Sequence, residues 1–429
     1  MNDPTSTRPN RPNTSLPQGF HRVIGAQFAS ALADNALLIV AIALLRERDF
    51  PGWWAPLLKF VFTLSYVGLA PWLGPLADAV AKARLMAWMN SLKILGALLM
   101  LGIWNPVLGF AIVGVAASAY APAKYGLITE IVPARQLVTA NAWIEVSVVS
   151  AALLGVVLGG WVVSPVFLSH TMSGLGELLL WLPPELQSQY LPSMALILIL
   201  YATASLLNLK IPDSGARYPK AHWHSRTMMR EFWQGNLILW RDREGGLSLG
   251  VTTLFWGIAA TLQFAVLRWA DEVLGLPLDQ AAYLQGLVAI GIVAGAAIAG
   301  RWVPLIWARR LLPLGVLLGL CLPAATTIPN LYGSLVLMTL LGALCGSLVV
   351  PMNALLQHRG FVLLSAGRSI AIQGFNENAS ILVMLGVYAT CTRFEVPIVP
   401  LIGAFGLFIS LAMGFLWWMS AKHKTQHSP

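Results

Sequence analysis

Long apolar runs separated by short polar breaks extend over almost the whole chain. Each run is close to the length of about 20 residues that a helix needs to cross the hydrocarbon core of a bilayer. Such runs predict helices, because a helix satisfies its own backbone hydrogen bonds inside lipid. We predict twelve membrane-spanning helices, near 22–45, 57–78, 85–104, 107–125, 141–163, 193–211, 246–269, 281–302, 311–328, 332–353, 369–391 and 398–420.

The longest polar interruption lies between the sixth and seventh runs and divides the chain into two halves. We predict, in order, a disordered cytoplasmic tail, a six-helix half, a central cytoplasmic loop, a second six-helix half and a short cytoplasmic tail. Their bounds are 1–19, 20–211, 212–245, 246–421 and 422–429. The expected fold class is therefore an all-α membrane protein.

The two halves carry similar marks at similar places. Pro122 is expected to end the fourth helix, and it lies 23 residues before Glu145. Pro351 is expected to end the tenth helix, and it lies 26 residues before Glu377. These matched intervals favour two parallel six-helix repeats, which is the arrangement of the major facilitator fold.

Composition and charge support a membrane protein and predict its orientation. The chain is 57% hydrophobic and 10% charged, with a mean hydropathy of +0.71, whereas a soluble protein has about 25% charged residues. With the N-terminus inside, twenty lysines and arginines fall on the cytoplasmic side and four on the other side. Because basic residues accumulate in cytoplasmic loops, both termini are predicted to be cytoplasmic. The net charge of +9 is thus a topology signal and does not predict nucleic-acid binding.

A motif between the second and third helices predicts a gate. Gly74-Pro-Leu-Ala-Asp78, followed by Lys82 and Arg84, resembles the loop motif of the major facilitator fold. The Asp78 carboxylate could pair with a basic group or a helix N-terminus and hold the cytoplasmic side shut. The alternative is an ordinary short loop with topogenic charge. The candidate gating residues are Asp78, Lys82 and Arg84.

Polar side chains inside the predicted spans indicate a wet cavity or internal pairing. A charge at the bilayer centre costs about 2.5–3.5 kcal/mol, so it is kept only where it is paired or hydrated. The first and fourth helices line the cavity in this fold, so we expect Asp34 and Lys124 to pair across it. Lys93 is either a structural partner or a cavity residue. The candidate cavity residues are Gln27, Asp34, Asn35, Lys124, Glu145, Gln263, Asn353, Gln373, Asn376 and Glu377.

Three Gly-x3-Gly pairs, which begin at Gly155, Gly291 and Gly342, predict places where helices approach closely. Small residues at this spacing leave a flat helix face on which a second helix can pack. They are interpreted as packing seams rather than ligand contacts.

Motifs for catalysis or cofactor binding are missing from the sequence. It has no G-x4-G-K-[ST] phosphate loop, no histidine with an aspartate five positions later, and no His or Cys cluster with metal-ligand spacing. The chain is therefore predicted not to be an enzyme and to need no cofactor.

Five blocks of the chain resemble the bacterial lysophospholipid transporters. They lie at 26–38, 117–126, 254–257, 350–357 and 373–378. In the seventh helix, Gln263 stands where the family is expected to carry an arginine. The resemblance implies a flippase of the bacterial inner membrane that moves lysophospholipid, chiefly 2-acyl-glycerophosphoethanolamine, from the outer to the inner leaflet. It also implies membrane lipid and a separate acyl-ACP-dependent acyltransferase at the cytoplasmic face as partners.

A lysolipid headgroup would place its ammonium on Asp34 and its phosphate on Lys124 in such a cavity. Two other functions stay open at this point. One is a proton-coupled exporter of amphipathic small molecules, in which Asp34 or Glu145 would titrate. The other is a membrane scaffold that holds the acyltransferase, although a scaffold has no need for buried charges.

Overall fold

The computed structural model describes residues 16–17, 19–50, 54–102, 105–171, 188–216, 218, 224–275, 278–326 and 331–422. Within these ranges the chain is helical and contains no strand. The helices are α1 Phe20–Glu47, α2 Trp54–Gly68, α3 Ala70–Ala79, α4 Lys82–Leu101, α5 Pro106–Ile131, α6 Leu137–Val162, α7 Leu191–Leu209, α8 Ser225–Arg241, α9 Arg243–Leu274, α10 Leu278–Trp302, α11 Leu312–Thr326, α12 Leu331–Leu363, α13 Ala366–Arg393 and α14 Ile398–Lys422.

The predicted number of membrane spans is confirmed. Eleven helices in the described part of the chain are long and apolar enough to cross a membrane. A twelfth span is formed by α2 and α3 together, which meet at 66°. The bend has a local cause: α2 ends at Gly68, and Pro71 in the first turn of α3 has no backbone N–H to continue the ladder.

The prediction that Pro122 and Pro351 end their helices is wrong. Pro122 lies inside α5, which continues to Ile131, and Pro351 lies inside α12, which continues to Leu363. Each proline removes one backbone hydrogen bond, but packing on neighbouring helices can hold a helix through such a position. Their neighbours Ala123 and Met352 are fully buried, in agreement with this reason.

Each half has its own apolar core. In the first half, α1 packs on α6 and α7, and α4 packs on α5. In the second half, α10 packs on α12, α11 on α14, and α9 on α13. The halves meet where α6 contacts α10 and where α13 contacts α3 and α5.

The predicted glycine seam between α10 and α12 is confirmed. A Cβ atom built on Gly291 would lie 2.1 Å from the carbonyl oxygen of Thr339, and one built on Gly346 would lie 2.2 Å from that of Ile292. Real Cβ atoms do not approach an oxygen so closely, so only glycine lets these two backbones touch. The seam makes α10 and α12 one rigid unit of the second half.

One end of the bundle carries most of the basic residues, among them Arg22, Lys82, Arg135, Arg243 and Arg368, and we call it the basic end. The predicted central loop also lies at this end, and it contains a helix, α8. The buried side chains of α8 are Met228, Phe232, Gly235 and Leu239, which are spaced three or four residues apart. This face packs on α3, α9, α12 and α13 through one apolar cluster, so α8 contacts both halves.

Candidate functional site

Asp78 connects the two halves at the basic end. Its carboxylate accepts hydrogen bonds from the Ser365 hydroxyl and, at 2.8 Å, from the backbone N–H of Gly367 in the first turn of α13. A helix N-terminus favours a negative charge, because its first N–H groups are unpaired and its dipole is positive there. The structure therefore has the contact with a helix N-terminus that the motif predicts, and the contact crosses from the first half to the second.

Lys82 extends this contact within the first half. Its ammonium lies 3.6 Å from Asp78 and 2.5 Å from the carboxylate of Glu130 at the end of α5. Glu130 also accepts hydrogen bonds from the Ser214 and Tyr218 hydroxyls, at 2.6 and 2.7 Å. Arg84, the third predicted gating residue, is exposed, and the described contacts give it no ion pair. Glu130, which the motif does not include, therefore takes part in the contact with Lys82. Arg84, which the motif includes, does not.

Two further contacts join the halves near the same end. The side-chain amides of Asn141 in α6 and Gln357 in α12 donate to each other's oxygen, both at 2.9 Å, and both residues are buried. The Thr139 hydroxyl donates to the carbonyl oxygen of Gly300 at 2.7 Å. Together with the Asp78 contact, they hold the halves together at the basic end.

Asp34 is part of a network inside the first half. Its carboxylate pairs with Lys93 of α4 at 2.7 Å and accepts a hydrogen bond from the Tyr201 hydroxyl of α7 at 2.8 Å. Lys93 also donates to Ser30 at 2.8 Å, and Ser30 donates to Asn90 at 2.8 Å. The Lys93 side chain is 2% exposed and that of Asp34 19%, so this is a buried ion pair.

The expected pair between Asp34 and Lys124 is wrong. Lys124 instead donates to the Gln27 side-chain oxygen at 3.1 Å, and Gln27 donates to the Ser147 hydroxyl at 3.3 Å. The physical reason is that Lys93 already neutralises Asp34 within the same half. Lys124 lies 4.2 Å above the Tyr125 ring and interacts electrostatically with Glu145 of α6. Asp34 and Lys124 therefore have different direct partners, although Lys124 stays within electrostatic range of Lys93 and Asp34.

The second half contributes an amide and carboxylate cluster. The Gln373 side-chain nitrogen donates to Asn353 of α12 at 3.0 Å and to Glu377 at 2.8 Å. Glu377 also contacts the Thr252 hydroxyl of α9 and lies within electrostatic range of Glu145. The Gln373 oxygen is buried and has no hydrogen-bond partner. Lys124 and Glu145 of the first half and Glu377 of the second thus form one polar site between the halves.

Asn376 does not share this position. Its side-chain nitrogen donates to Asn236 of α8 at 2.8 Å, and its oxygen accepts from the Trp240 indole N–H at 3.1 Å. Because successive residues of a helix point about 100° apart, Asn376 and Glu377 face different neighbours. The predicted cavity role of Asn376 is therefore corrected to a contact with α8.

A large apolar cavity lies between the halves. Its volume is about 930 Å³, and its walls come from α1, α6, α9, α10, α11, α12 and α14. Two predicted residues, Asn35 and Gln263, lie on its wall, and Gln285 donates to the backbone oxygen of Gln263 at 2.6 Å. On its α6 and α10 walls, Val157 is 69% exposed and Ile290 56% exposed. The cavity therefore offers an apolar surface on α6, α9 and α12, the helices that also carry Glu145, Thr252 and Asn353 of the polar site.

Comparisons with known proteins decide the family. The profile of the Major Facilitator Superfamily matches residues 23–375. Lysophospholipid transporter LplT of Citrobacter koseri is 39% identical over 408 residues, covering 94% of this chain and 96% of that relative. LplT of Shigella flexneri is 39% identical over 414 residues, covering 96% and 98%.

The chain belongs to the LplT family of the major facilitator superfamily.

Solved structures show the same fold at low identity. The FucP transporter in the outward conformation aligns with TM-score 0.69 and 16% identity, over 94% of this chain and 97% of FucP. The human organic anion transporter MFSD10 aligns with TM-score 0.68 and 14% identity, over 94% and 98%. The predicted major facilitator fold is thus confirmed, and the chain is a multi-pass membrane protein.

The sequence did not predict several residues of the site. Glu130 and Thr252 were not considered, and Lys93 had no assigned partner. Glu130 could have been identified from the sequence, because it is an acidic residue that lies between the basic residues of two neighbouring loops. For Thr252 the sequence offers no signal, because a lone threonine on a helix is common.

Proposed function

We propose that this protein carries lysophospholipid across the bacterial inner membrane, from the outer to the inner leaflet. Its substrate would be lysophosphatidylethanolamine with one acyl chain. The observation that carries this proposal is an apolar cavity of about 930 Å³ that shares α6, α9 and α12 with a polar site holding both signs of charge. A zwitterionic headgroup with a single chain matches both parts. The relatives' names, lysophospholipid transporter LplT, support the same substrate class.

The headgroup would bind at the polar site between the halves. Lys124 would contact the phosphate, because no carboxylate of the described residues lies within ion-pair distance of it, and its contacts are the Gln27 oxygen and the Tyr125 ring. Glu377 and the unpaired oxygen of Gln373 would accept from the ammonium. Asp34 is assigned a structural role instead, since Lys93 and Tyr201 already satisfy its carboxylate.

The acyl chain would occupy the apolar cavity and enter it from lipid beside α6 and α10. An apolar wall is similar to the lipid that the chain leaves, so the chain can enter the cavity at little cost, and the headgroup contacts would retain the substrate. Binding would precede opening of the basic end, and the contacts of Asp78 and Asn141 would break as the halves rock. A separate acyltransferase on the cytoplasmic side would consume the product.

The test is uptake of lysophosphatidylethanolamine, labelled in its headgroup, by proteoliposomes. Leu262→Trp places a large ring in the cavity, and Leu317→Trp is the matched control, because Leu317 is exposed on α11 outside the cavity. We expect uptake to be lost in the first variant and kept in the second. Equal uptake in both would contradict a chain site in this cavity.

The energy source is tested in the same vesicles. Uptake that continues after an uncoupler collapses the proton gradient supports a flippase driven by removal of product. Uptake that stops would favour the proton-coupled exporter instead, because the two functions share one fold and differ in coupling.

A further inference from the structure

The outer surface of α8 is not explained by transport. Five large apolar side chains are exposed there: Met229 at 38%, Trp233 at 50%, Leu237 at 48%, Ile238 at 46% and Trp240 at 41%. Three exposed arginines, Arg226, Arg230 and Arg241, lie on the same helix. Within the described part of the chain, none of these three guanidinium groups forms an ion pair.

The order of side chains around α8 is informative. At about 100° per residue, the buried face of Met228, Phe232 and Leu239 is followed by the stripe of Met229, Trp233 and Trp240. The three arginines come next around the helix, with Leu237 among them, and Gln234, Thr227 and the exposed Ile238 follow. The succession is protein, apolar, basic, and then a mixed face.

This succession fits a helix that lies in the plane of a membrane surface. Interfacial helices bury an apolar face at the boundary of headgroups and acyl chains, and they carry Trp on that face and Lys or Arg at headgroup level. Tryptophan prefers this depth because its ring is apolar and its N–H is polar. Trp233 packs edge-on against Phe375, and Trp240 donates to Asn376, but each tryptophan stays 41–50% exposed, which is more apolar surface than a helix in water usually shows.

We propose that α8 is a docking surface for anionic phospholipid in the leaflet at the basic end. The Trp stripe would lie at the acyl boundary, and Arg226, Arg230 and Arg241 would bind the phosphate groups of anionic headgroups. Charge complementarity selects this occupant, because the one acidic residue of α8, Glu231, lies on another side and pairs with Arg368 at 3.0 Å.

The docking surface is mechanically connected to the gate. Through Asn236 and Glu231, α8 holds Asn376 and Arg368 of α13. The first turn of α13 donates a backbone hydrogen bond to the Asp78 carboxylate of the other half. Anionic lipid on α8 would therefore stabilise the arrangement in which the basic end is closed.

The experiment measures the depth of α8 directly. Met229→Cys, which places the label on the Trp stripe, is made in a background with Cys321, Cys345 and Cys391 changed to serine, spin-labelled and reconstituted with or without phosphatidylglycerol. Collision rates with oxygen and with a water-soluble nickel complex report how deep the label lies. We expect oxygen collisions to dominate, and more strongly when phosphatidylglycerol is present.

The arginines are tested by R226Q/R230Q/R241Q. Each arginine near an anionic surface contributes about 1 kcal/mol, or roughly fivefold in the bound population, so the response to phosphatidylglycerol should be lost. The matched control R135Q/R301Q/R310Q removes the same charge at the same end but off α8, and it should keep the response. If the glutamine variant does not fold, R226K/R230K/R241K should fold and still respond, because the lysines keep the charge.

Two results would overturn the proposal. A label that collides mainly with nickel in every vesicle would assign the Trp stripe to a protein partner. An equal loss of response in the control triple would show a general charge effect of the basic end. Depth is measured without substrate, so neither result depends on whether the protein carries lysophospholipid.

Discussion

Asp34 and Lys93 form an ion pair that lies wholly inside the first half. A buried pair tolerates the loss of one partner poorly, because the remaining charge stays in a medium of low dielectric constant. The Tyr201 hydroxyl donates a hydrogen bond to the Asp34 carboxylate, and the Lys93 ammonium donates one to the Ser30 hydroxyl, at 2.8 Å each. The pair therefore determines how α1, α4 and α7 are held together, and it keeps this role whichever way the halves are tilted.

Asp34→Ala and Lys93→Ala should each lower the thermal stability of the purified protein. The expected loss is about 3 kcal/mol for Asp34→Ala, which leaves the buried Lys93 without its partner, and less for Lys93→Ala, because the remaining Asp34 is partly exposed and its charge is screened. The double variant should lose less than the sum. The control cycle of Asp34→Ala with Lys124→Ala should show a smaller coupling, because these two groups form no ion pair and interact only at longer range. Additive losses in the Asp34 and Lys93 cycle would show that the two charges act independently.

Asp242 gives a pH-dependent contribution to stability. Its carboxylate caps α9 by accepting from Gly245 at 2.8 Å and pairs with Arg359 at 2.6 Å. The hydrogen bond from Arg359 lowers the pKa of Asp242 below its usual value. The stabilisation is therefore present above the unfolded pKa of about 4, and it is lost as pH falls through the lower folded pKa.

Asp242→Asn tests this contribution. Asparagine still caps the helix but loses the charge, so we expect a loss of about 1 kcal/mol at pH 7. The difference from the native protein should shrink as the pH falls below about 4, because native Asp242 becomes protonated there. Melting curves at several pH values measure it. A difference that does not change between pH 7 and pH 3 would show that the charge is unimportant.

At the scale of elements, the seam of α10 and α12 is the tightest contact between two helices of the second half. Their backbones touch at Gly291, Gly295, Gly342 and Gly346. Helices in lipid gain little from hydrophobic contact with one another, so close packing of this kind is their main attraction. The cavity wall depends on it, since residues of both helices line the cavity.

Gly346→Ala should push α10 and α12 apart, because the new Cβ would lie 2.2 Å from the carbonyl oxygen of Ile292. Overpacking of this kind costs about 1–3 kcal/mol. Gly414→Ala is the matched control, since a Cβ there meets no atom within 4 Å. It should be neutral or gain up to about 1 kcal/mol from helix propensity. Thermal unfolding compares the two, and equal stability of both would refute a rigid seam.

The elements also show how far the sequence predicts this structure. Hydrophobic run length predicts the spans, because lipid leaves the helix as the only way to satisfy the backbone. Gly-x3-Gly spacing predicts the seam, because small residues on one face of a helix let a second backbone approach closely. The partner of Asp34 could not be predicted, because run length does not reveal how each helix is rotated about its axis. Lys93 and Lys124 were both on neighbouring helices, and only rotation decides between them.

For α8 and the two prolines, the cause of failure is tertiary context. A mixed sequence such as Ser225–Arg241 has no long apolar run and was assigned to a loop. This helix is stabilised by the packing of one face on α3 and α13. The next helix, α9, whose N-terminus is capped, also supports it. Pro122 and Pro351 would end an isolated helix, but they do not end one that is packed on both sides.

At the scale of the whole molecule, the contacts between the halves at the basic end decide which side is open. They are few and specific: the Asp78 carboxylate on α13, the amide pair of Asn141 and Gln357, and the hydrogen bond from Thr139. A small number of polar contacts can be broken at once by rocking of two rigid halves. Removing one of these contacts should shift the equilibrium between the state in which the basic end is closed and the state in which it is open.

Asp78→Asn should favour opening of the basic end and slow transport, because a neutral amide loses the interaction with the N-terminus of α13. Helix-terminus charges contribute about 0.3–2 kcal/mol, which changes a two-state ratio by up to about 30-fold. Spin labels at positions 135 and 301 report the separation of the halves, and lysolipid uptake reports the rate. Asp49→Asn, at an exposed residue of the opposite end, is the control. Unchanged distances and rate would leave Asp78 with a topogenic role only.

The apolar cavity has a practical consequence for purified protein. Common solubilising detergents have one alkyl chain and a polar head, which is the shape that the cavity between α6 and α10 fits. Because apolar burial is not directional, the cavity does not distinguish one alkyl chain from another. We therefore expect maltoside detergents to compete with lysolipid, so that measured affinity weakens as free detergent rises and recovers in nanodiscs. A diacyl amphiphile should compete far less, since its second chain has no second cavity to fill.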